Sequence, residues 1–206
     1  LCVDTGYFET FNKHNVHLIN LKKYPIKEVS ATNIESDKIY EIDTLILATG
    51  FDAMTGALTN IDISGRGNIK LKDQWEGGAK SYLGLGISNF PNLFTVTGPG
   101  SPSVLSNMMP SIEQHVNWIT DCIDWMVQND KSVIESSETA EEDWMVLVNE
   151  IADMTIFTDT KSWYNGSNID TKAKAFLPFI GVPVYTEMLE EIVSENYKGF
   201  IFDKVN

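Results

Sequence analysis

The chain has 206 residues, of which 29 are acidic and 15 are basic, so its formal net charge is −14. This balance argues against nucleic acid or an anionic membrane as a partner, because both need clustered Lys and Arg side chains. A hydrophobic content of 43% is enough for a packed core and indicates a folded chain, either one large domain or parts of two. Two cysteines do not make a disulfide framework, and there is no signal peptide and no 18-residue apolar run. A reduced cytoplasmic protein is the simplest prediction.

The first 50 residues have the pattern of a small β-meander. A helical turn is expected near 5–11, and strands are expected at 16–21, 26–32 and 40–47. The last of these is solidly apolar at its end, as in a strand that is buried on both faces. It runs into Ala48-Thr49-Gly50, where small residues allow a backbone or a cofactor to approach closely, although a tight turn explains the tripeptide equally well.

The most informative stretch covers residues 94–127. A short apolar strand leads into a loop rich in Gly, Pro and Ser, and a long amphipathic helix follows. Pro110 and a capping box of Ser111 with Gln114 are expected to open this helix. A helix N-terminus after glycines presents N–H groups and a positive dipole end, which suit a phosphate or an electron-rich ring. The predicted core face contains Ile112, Val116, Ile119, Ile123 and Met126.

The flanking regions add core residues and two more helices. Residues 52–92 are rich in loops, with Trp75 and Tyr82 expected at the edge of the core. A second amphipathic helix is expected after a capping box of Thr139 with Glu142, burying Trp144, Val148 and Ile151. A last helix is expected from Pro183 until Gly199, burying Tyr185, Leu189 and Ile192. Between these helices lies a polar stretch at 158–174, where Trp163 fits either a lid over a site or a side chain folded back on the core.

The usual catalytic side-chain sets do not occur. His14, His17 and His115 lack metal-ligand spacing, and each fits a surface or a core histidine. There is no G-x-S-x-G elbow and no H-E-x-x-H motif. With no protein nucleophile and a glycine-rich loop before a helix, the pattern favours a site in which a bound cofactor performs the chemistry.

Several segments resemble the Baeyer–Villiger monooxygenases, in the same order along the chain. Residues 42–52, which end in Ala48-Thr49-Gly50-Phe51-Asp52, look like the second ATG segment of flavoproteins with two dinucleotide-binding domains. Further similar segments lie at 90–94, 98–102, 111–116, 151–155, 162–168 and 197–200. No single motif is decisive, but together they cover nearly the whole chain and resemble the phenylacetone and cyclohexanone monooxygenase branch.

The resemblance implies an α/β fold that is the C-terminal part of a Rossmann-like flavoprotein with two dinucleotide-binding domains. It has an antiparallel β-meander at its N-terminal end and helices after residue 110. Residues 1–50 are then the C-terminal tail of the NADPH-binding domain. Residues 51–206 are the C-terminal part of the FAD-binding domain, including a mobile loop at 158–174. The family's glycine motifs and its F-x-G-x-x-x-H fingerprint do not occur, and its catalytic Arg is expected immediately before Leu1.

The resemblance also implies an enzyme that uses FAD, NADPH and O₂ to insert oxygen beside a ketone carbonyl, giving an ester or lactone. Cofactor contacts are expected at Gly50, Asn107, Met108 and Trp163. A ketone pocket is expected at Pro102, Ser103, Val104 and Leu105. No catalytic residue and no metal site is expected here, and the missing N-terminal part is the expected partner. The 206-residue chain alone is expected neither to hold FAD tightly nor to turn over ketones.

Two other functions fit the sequence. A different flavin monooxygenase, oxygenating amines or sulfides, would share the fold and the cofactors. A non-enzymatic acidic module that binds a protein partner would leave the glycine loop with a structural role only.

Overall fold

The computed structural model describes residues 5–50, 55–102, 107–155, 159 and 181–204. The chain divides into two compact units, residues 1–50 and 51–206. The assignment of these units to an NADPH-binding and an FAD-binding domain stays a prediction. Helices and small antiparallel sheets make up an α/β protein, and the Rossmann-like arrangement likewise stays a prediction. Among the described helices, none is long and apolar enough to cross a bilayer.

The first unit contains an antiparallel meander, as predicted, but its middle strand lies outside the three predicted strands. After helix α1 (Tyr7–Thr10) come strands β1 (Glu28–Val29), β2 (Asn33–Glu35) and β3 (Ile39–Glu41), which pair in the order β1-β2-β3. The turn between β1 and β2 is closed by Ser30, whose Oγ accepts a hydrogen bond from the Asn33 N–H at 3.1 Å. Such side-chain bonds to nearby backbone are what favour serine in turns.

Two of the predicted strands in this unit are wrong: residues 16–21 form no strand, and the strand predicted at 40–47 ends early. At 16–21 no strand forms, because the Asn20 side chain accepts hydrogen bonds from the Lys22 and Lys23 N–H groups at 3.0 and 3.3 Å and makes a turn. Beyond β3 the Ile42 N–H still donates to the Thr32 carbonyl at 2.8 Å, but residues 43–47 belong to no described strand, and Ile46 is 81% exposed. The prediction of burial on both faces fails, because no strand within residues 5–50 pairs with this run.

The second unit is built mainly from three long helices. These are α4 (Met108–Gln128), α5 (Glu138–Asp153) and α6 (Val182–Ser194), preceded by the short helices α2 (Gly56–Thr59) and α3 (Leu71–Gln74) and a 3-10 turn at Arg66–Asn68. Strands β4 (Val133–Ser136) and β5 (Phe200–Asp203) form an antiparallel pair in which Ile134 lies opposite Phe202. The sequence did not predict these strands, since four residues give too short an alternation to recognise.

Helix α4 buries Met126 as predicted, but the rest of its buried face differs from the predicted one. Val116 and Ile123 are about half exposed. The buried face is turned by one residue, about 100° on a helix, because the apolar pattern gave no weight to a histidine and a serine. This face contains Ser111, His115, Trp118, Cys122 and Met126. Trp118 packs against the rings of Tyr197 and Phe200, at centroid distances of 5.1 and 5.4 Å.

The core faces of α5 and α6 agree with the sequence, but the helix ends do not. Buried residues predicted correctly are Trp75, Tyr82, Trp144, Val148, Tyr185, Leu189 and Ile192. The capping box of Thr139 with Glu142 is wrong, because the N-cap is Ser137, whose Oγ accepts a hydrogen bond from the Ala140 N–H at 3.2 Å. Helix α6 ends at Ser194, before Asn196 and Tyr197 adopt left-handed φ angles of 56° and 60°.

Candidate functional site

Helix α4 begins with few N–H groups to offer a ligand. Its N-cap is Asn107, whose Oδ1 accepts a hydrogen bond from the Met109 N–H at 3.1 Å. Pro110 in the same turn has no N–H. The predicted capping box is therefore wrong, and Gln114 instead donates from Nε2 to Thr186 Oγ1 at 2.8 Å, which joins α4 to α6. What this terminus offers to an anion is chiefly the field of the helix dipole.

A hollow of about 330 Å³ lies beside this terminus. Its walls are Leu58, residues 94–98 and Met108, and Met108 is 40% exposed. Most of the lining side chains are apolar. The volume is at the lower end of the range for ligand pockets, about 300–1,000 Å³, so the hollow has room for one ring system and not for a whole dinucleotide.

The backbone N–H groups of the wall are directed into the protein. Thr95 donates to the Leu85 carbonyl at 2.8 Å, and Gly98 donates to the Gly84 carbonyl at 3.1 Å. The Thr97 N–H donates to His115 Nδ1 at 3.0 Å. The wall therefore lacks the array of free donors with which a glycine loop binds phosphate. The sequence suggested either a phosphate or an electron-rich ring at this helix terminus, and the structure favours the ring.

The glycines of the loop allow two loops to pack closely. A Cβ on Gly98 would lie 2.4 Å from Thr95 Oγ1 and 2.6 Å from the Gly84 carbonyl oxygen. Gly84 itself has φ +74°, and a Cβ there would lie 2.5 Å from Ser101 Cβ. Residues 98–102 are buried. The hollow is thus shaped by the contact between this loop and residues 81–86.

Behind the wall, a buried hydrogen-bonded chain connects four parts of the second unit. His115 is completely buried, and its Nε2 lies 2.8 Å from the hydroxyl of Tyr185. That hydroxyl donates to the Leu83 carbonyl at 2.6 Å. With the Thr97 N–H on Nδ1, both ring nitrogens of the histidine have partners. The sequence gave only a histidine without metal spacing and could not indicate these partners.

The burial of His115 predicts a stability loss at acid pH. Burial lowers the pKa of His115 from 6.5 to about 4. Below pH 6.5 the unfolded chain takes up a proton that the folded chain refuses until near pH 4, so the free energy of unfolding falls through this window. The full loss is about 3 kcal/mol.

This loss is measured by urea unfolding of the wild type and of His115→Asn between pH 7 and pH 4. The variant removes the titrating group, so the stability difference between the two proteins is expected to shrink by about 3 kcal/mol as the pH falls. A difference that stays constant over this range would show that His115 titrates alike in both states.

A second buried polar group supports the loop that leads into the wall. Glu141 accepts hydrogen bonds from the Ser88 N–H at 2.8 Å and from the Ser88 hydroxyl at 2.9 Å. Burial raises the pKa of Glu141, and the bonds from Ser88 oppose that rise. The sequence suggested only a charged helix start here, because a partner 53 positions away leaves no local signal.

The predicted site residues fall into three groups. Asn107 and Met108 lie at the start of α4, Met108 on the wall of the hollow. Pro102 is buried and does not line the hollow, and Gly50, in the other unit, has φ +81° with open space where a Cβ would be. Ser103, Val104, Leu105 and Trp163 lie outside the described residues.

In the described parts of the chain, no group of three or more His, Cys, Asp or Glu side chains is arranged to hold a metal ion.

Comparison with known proteins identifies relatives at both the sequence and the structure level. No family model matches the chain. Cyclohexanone 1,2-monooxygenase of Acinetobacter sp is 39% identical over 203 residues, which cover 97% of this chain and 37% of that protein. Phenazine N-monooxygenase of Lysobacter antibioticus is 39% identical over 198 residues, which cover 95% of this chain and 36% of that protein.

Two solved structures match the model closely. Cyclohexanone monooxygenase from Rhodococcus sp. Phi1 bound to NADP⁺ matches with a TM-score of 0.90 at 38% identity, over 98% of this chain and 38% of that one. The OTEMO complex with FAD and NADP matches with a TM-score of 0.88 at 34% identity, over 97% and 37%. The chain thus spans less than two fifths of the length of these relatives. The resemblance seen in the sequence is confirmed: over 97% of its length the chain is homologous to a segment of the Baeyer–Villiger monooxygenases.

Proposed function

We propose that this chain is the C-terminal part of an FAD- and NADPH-dependent Baeyer–Villiger monooxygenase. The intact enzyme inserts one oxygen atom of O₂ beside a ketone carbonyl and releases an ester or lactone. The observation that carries this proposal is the open, mainly apolar hollow at Met108, in a segment that matches cyclohexanone monooxygenase with a TM-score of 0.90. Two cysteines and no disulfide framework favour the cytoplasm as its compartment.

The residues of the hollow fit the flavin ring. Met108, Phe94 and Val96 offer apolar contacts to a flat heterocycle, and the dipole of α4 favours negative charge beside it by about 0.3–1 kcal/mol. When bound, FAD supplies the redox chemistry, taking reducing equivalents from NADPH and passing them to O₂. The chain's own residues hold the ring, keep water from one face and orient the ketone.

The hollow supplies only some of the contacts that FAD needs. A hollow of about 330 Å³ takes one ring system, so most of the dinucleotide is bound by the missing N-terminal part of the same enzyme. We assign Asn107 and Met108 to FAD, and Gly50 and Trp163 to the cofactors as well. Pro102, Ser103, Val104 and Leu105 are assigned to the ketone pocket.

N-oxygenation is the second candidate reaction, because a phenazine N-monooxygenase is as similar to this chain as a cyclohexanone monooxygenase is. Both reactions use the same fold and cofactors, so the choice depends on the substrate. The intact enzyme is therefore given cyclohexanone and, separately, phenazine, and the products are identified by mass spectrometry. Ester or lactone supports the proposal, and N-oxide alone replaces it with the second candidate.

The role of the hollow is tested with a charge placed in its wall. Met108→Glu in the intact enzyme is expected to weaken FAD binding about tenfold, or 1.4 kcal/mol, because the carboxylate is partly desolvated against the ring and repels the carbonyl oxygens at its edge. Met154→Glu, at a methionine that is 78% exposed, is the matched control and leaves the affinity unchanged.

Binding is measured as the flavin absorbance retained after gel filtration and as a titration of the apoenzyme. The intact enzyme is expected to retain FAD, and the 206-residue chain alone is not. An intact enzyme that binds no flavin would overturn the proposal. Stoichiometric FAD on the 206-residue chain would overturn the division of the site between the two parts.

A further inference from the structure

The wall of the hollow contains a strained residue. Thr97 has φ +51°, a left-handed conformation that is a genuine outlier for a β-branched side chain. Strained backbone persists only where surrounding contacts determine it, and it concentrates at ligand sites. The Thr97 backbone is bonded to the protein interior through its N–H, which donates to His115 Nδ1 at 3.0 Å.

The donor and acceptor of each hydrogen bond between Thr97, His115, Tyr185 and Leu83 can be assigned. Thr97 N–H can only donate, so His115 Nδ1 carries no proton. A neutral imidazole then has its proton on Nε2, which donates to the Tyr185 hydroxyl at 2.8 Å. The hydroxyl proton goes to the Leu83 carbonyl at 2.6 Å. Because its hydroxyl proton is committed to Leu83, Tyr185 accepts from Nε2 and stabilises the same tautomer of His115 that accepts from Thr97.

We propose that His115 is a positioning residue of the candidate site, and that Tyr185 positions it in turn. His115 holds the Thr97 backbone in its strained conformation and so fixes the wall formed by residues 94–98. Neither side chain lines the hollow, and both act through Thr97. The role of the wall in holding flavin rests on the function proposed above, whereas the control of Thr97 by His115 does not.

The hydrogen bonds through His115 and Tyr185 also connect α6 to the wall of the hollow. Tyr185 lies in the first turn of α6, and the neighbouring Thr186 accepts the hydrogen bond from Gln114 of α4. A displacement of α6 would therefore remove the partner of His115 Nε2.

Four variants of the intact protein separate positioning from general packing. His115→Leu removes the acceptor for Thr97, and His115→Asn restores an acceptor at the same distance along the side chain. Tyr185→Phe removes the acceptor for His115 Nε2 that stabilises this tautomer, and it keeps the aromatic ring. Thr97→Gly combined with His115→Leu removes the strain that the acceptor offsets, since glycine adopts positive φ freely. His14→Leu, at an exposed histidine, is the control.

The readout is the hydrogen-exchange rate of the amides of residues 95–98, measured without FAD. We expect exchange at Thr97 to rise about tenfold or more in His115→Leu and in Tyr185→Phe. It should stay near the wild-type rate in His115→Asn and in His14→Leu. FAD affinity is measured on the same proteins, and we expect it to fall about tenfold in His115→Leu and to recover in the double variant with Thr97→Gly.

The two readouts distinguish failure of this inference from failure of the proposed function. Unchanged exchange in both His115→Leu and Tyr185→Phe overturns the positioning role, whatever the flavin does. Altered exchange in a protein that binds no FAD supports the positioning role and overturns the proposed function. If His115→Leu does not fold, Tyr185→Phe and His115→Asn decide the question, since both retain a ring or an acceptor in place.

Discussion

Gly98→Ala is expected to lower the free energy of unfolding by about 3 kcal/mol, at the upper end of what overpacking costs. The new Cβ would meet Thr95 Oγ1 at 2.4 Å and the Gly84 carbonyl oxygen at 2.6 Å. The second of these atoms is backbone, so relief requires the two loops to separate. Because Gly98 lines the hollow, the same change is expected to reduce FAD retention by the intact enzyme.

Gly77→Ala is the matched control. A Cβ at Gly77 would meet nothing within 4 Å, and its φ is not in the left-handed region, so this alanine is expected to be neutral or slightly stabilising. Both variants are compared with the wild type by urea unfolding. Equal stability of the two alanine variants would show that the loops do not approach as closely as the structure has them.

Trp118→Ala is expected to cost about 3–5 kcal/mol, the usual range for removing a buried tryptophan. Trp118 is 6% exposed and contacts the rings of Tyr197 and Phe200, so its loss opens a cavity between α4 and β5. Val127→Ala on the same helix, at a valine that is 73% exposed, should change stability by less than about 0.5 kcal/mol.

Trp118→Phe tests whether the indole N–H contributes. Within the described residues, Trp118 Nε1 is buried and has no hydrogen-bond partner. Phenylalanine keeps an aromatic ring against Tyr197 and removes an unsatisfied donor, so its cost is expected to be about 1 kcal/mol or less. Urea unfolding measures all three variants, and a loss in Trp118→Phe as large as in Trp118→Ala would mean that the N–H is bonded.

Sequence reasoning succeeded where a single local pattern decides the outcome. The core faces of α5 and α6 follow from apolar residues at helical spacing, and Trp144, Val148, Tyr185 and Leu189 are buried as predicted. Pro183 likewise placed the start of α6, since a proline is tolerated in the first turn. The family resemblance needed only the order of short segments, and the relatives confirm it.

Sequence reasoning failed where a contact between residues distant in the sequence decides the outcome. The buried face of α4 includes His115, which is tolerated in a core because Thr97 and Tyr185 satisfy its nitrogens. Spacing cannot reveal such partners, so the apolar Val116 and Ile123 were preferred in error. The N-caps were misplaced for a related reason: several Ser, Thr and Asn residues can cap each helix, and local geometry selects one.

The candidate site was predicted only in outline. The sequence located Met108 near the start of a helix after a glycine-rich loop, and the structure places it on a hollow. The purpose of the glycines was misjudged, because a glycine that allows phosphate binding and one that allows loop contact look alike in a sequence. Only the positions of Gly84 and Thr95 around Gly98 distinguish them.

The exposed run at residues 45–47 has a consequence for the solubility of the 206-residue chain by itself. Among residues 5–50 only Ser36 is buried, so this unit contributes almost nothing to its own cohesion. An apolar run as exposed as Leu45-Ile46-Leu47 favours association with other apolar or strand-forming segments wherever it is left uncovered. In the intact enzyme proposed above, other parts of the same polypeptide are expected to cover this run, so the 206-residue chain alone should aggregate more readily than the intact protein.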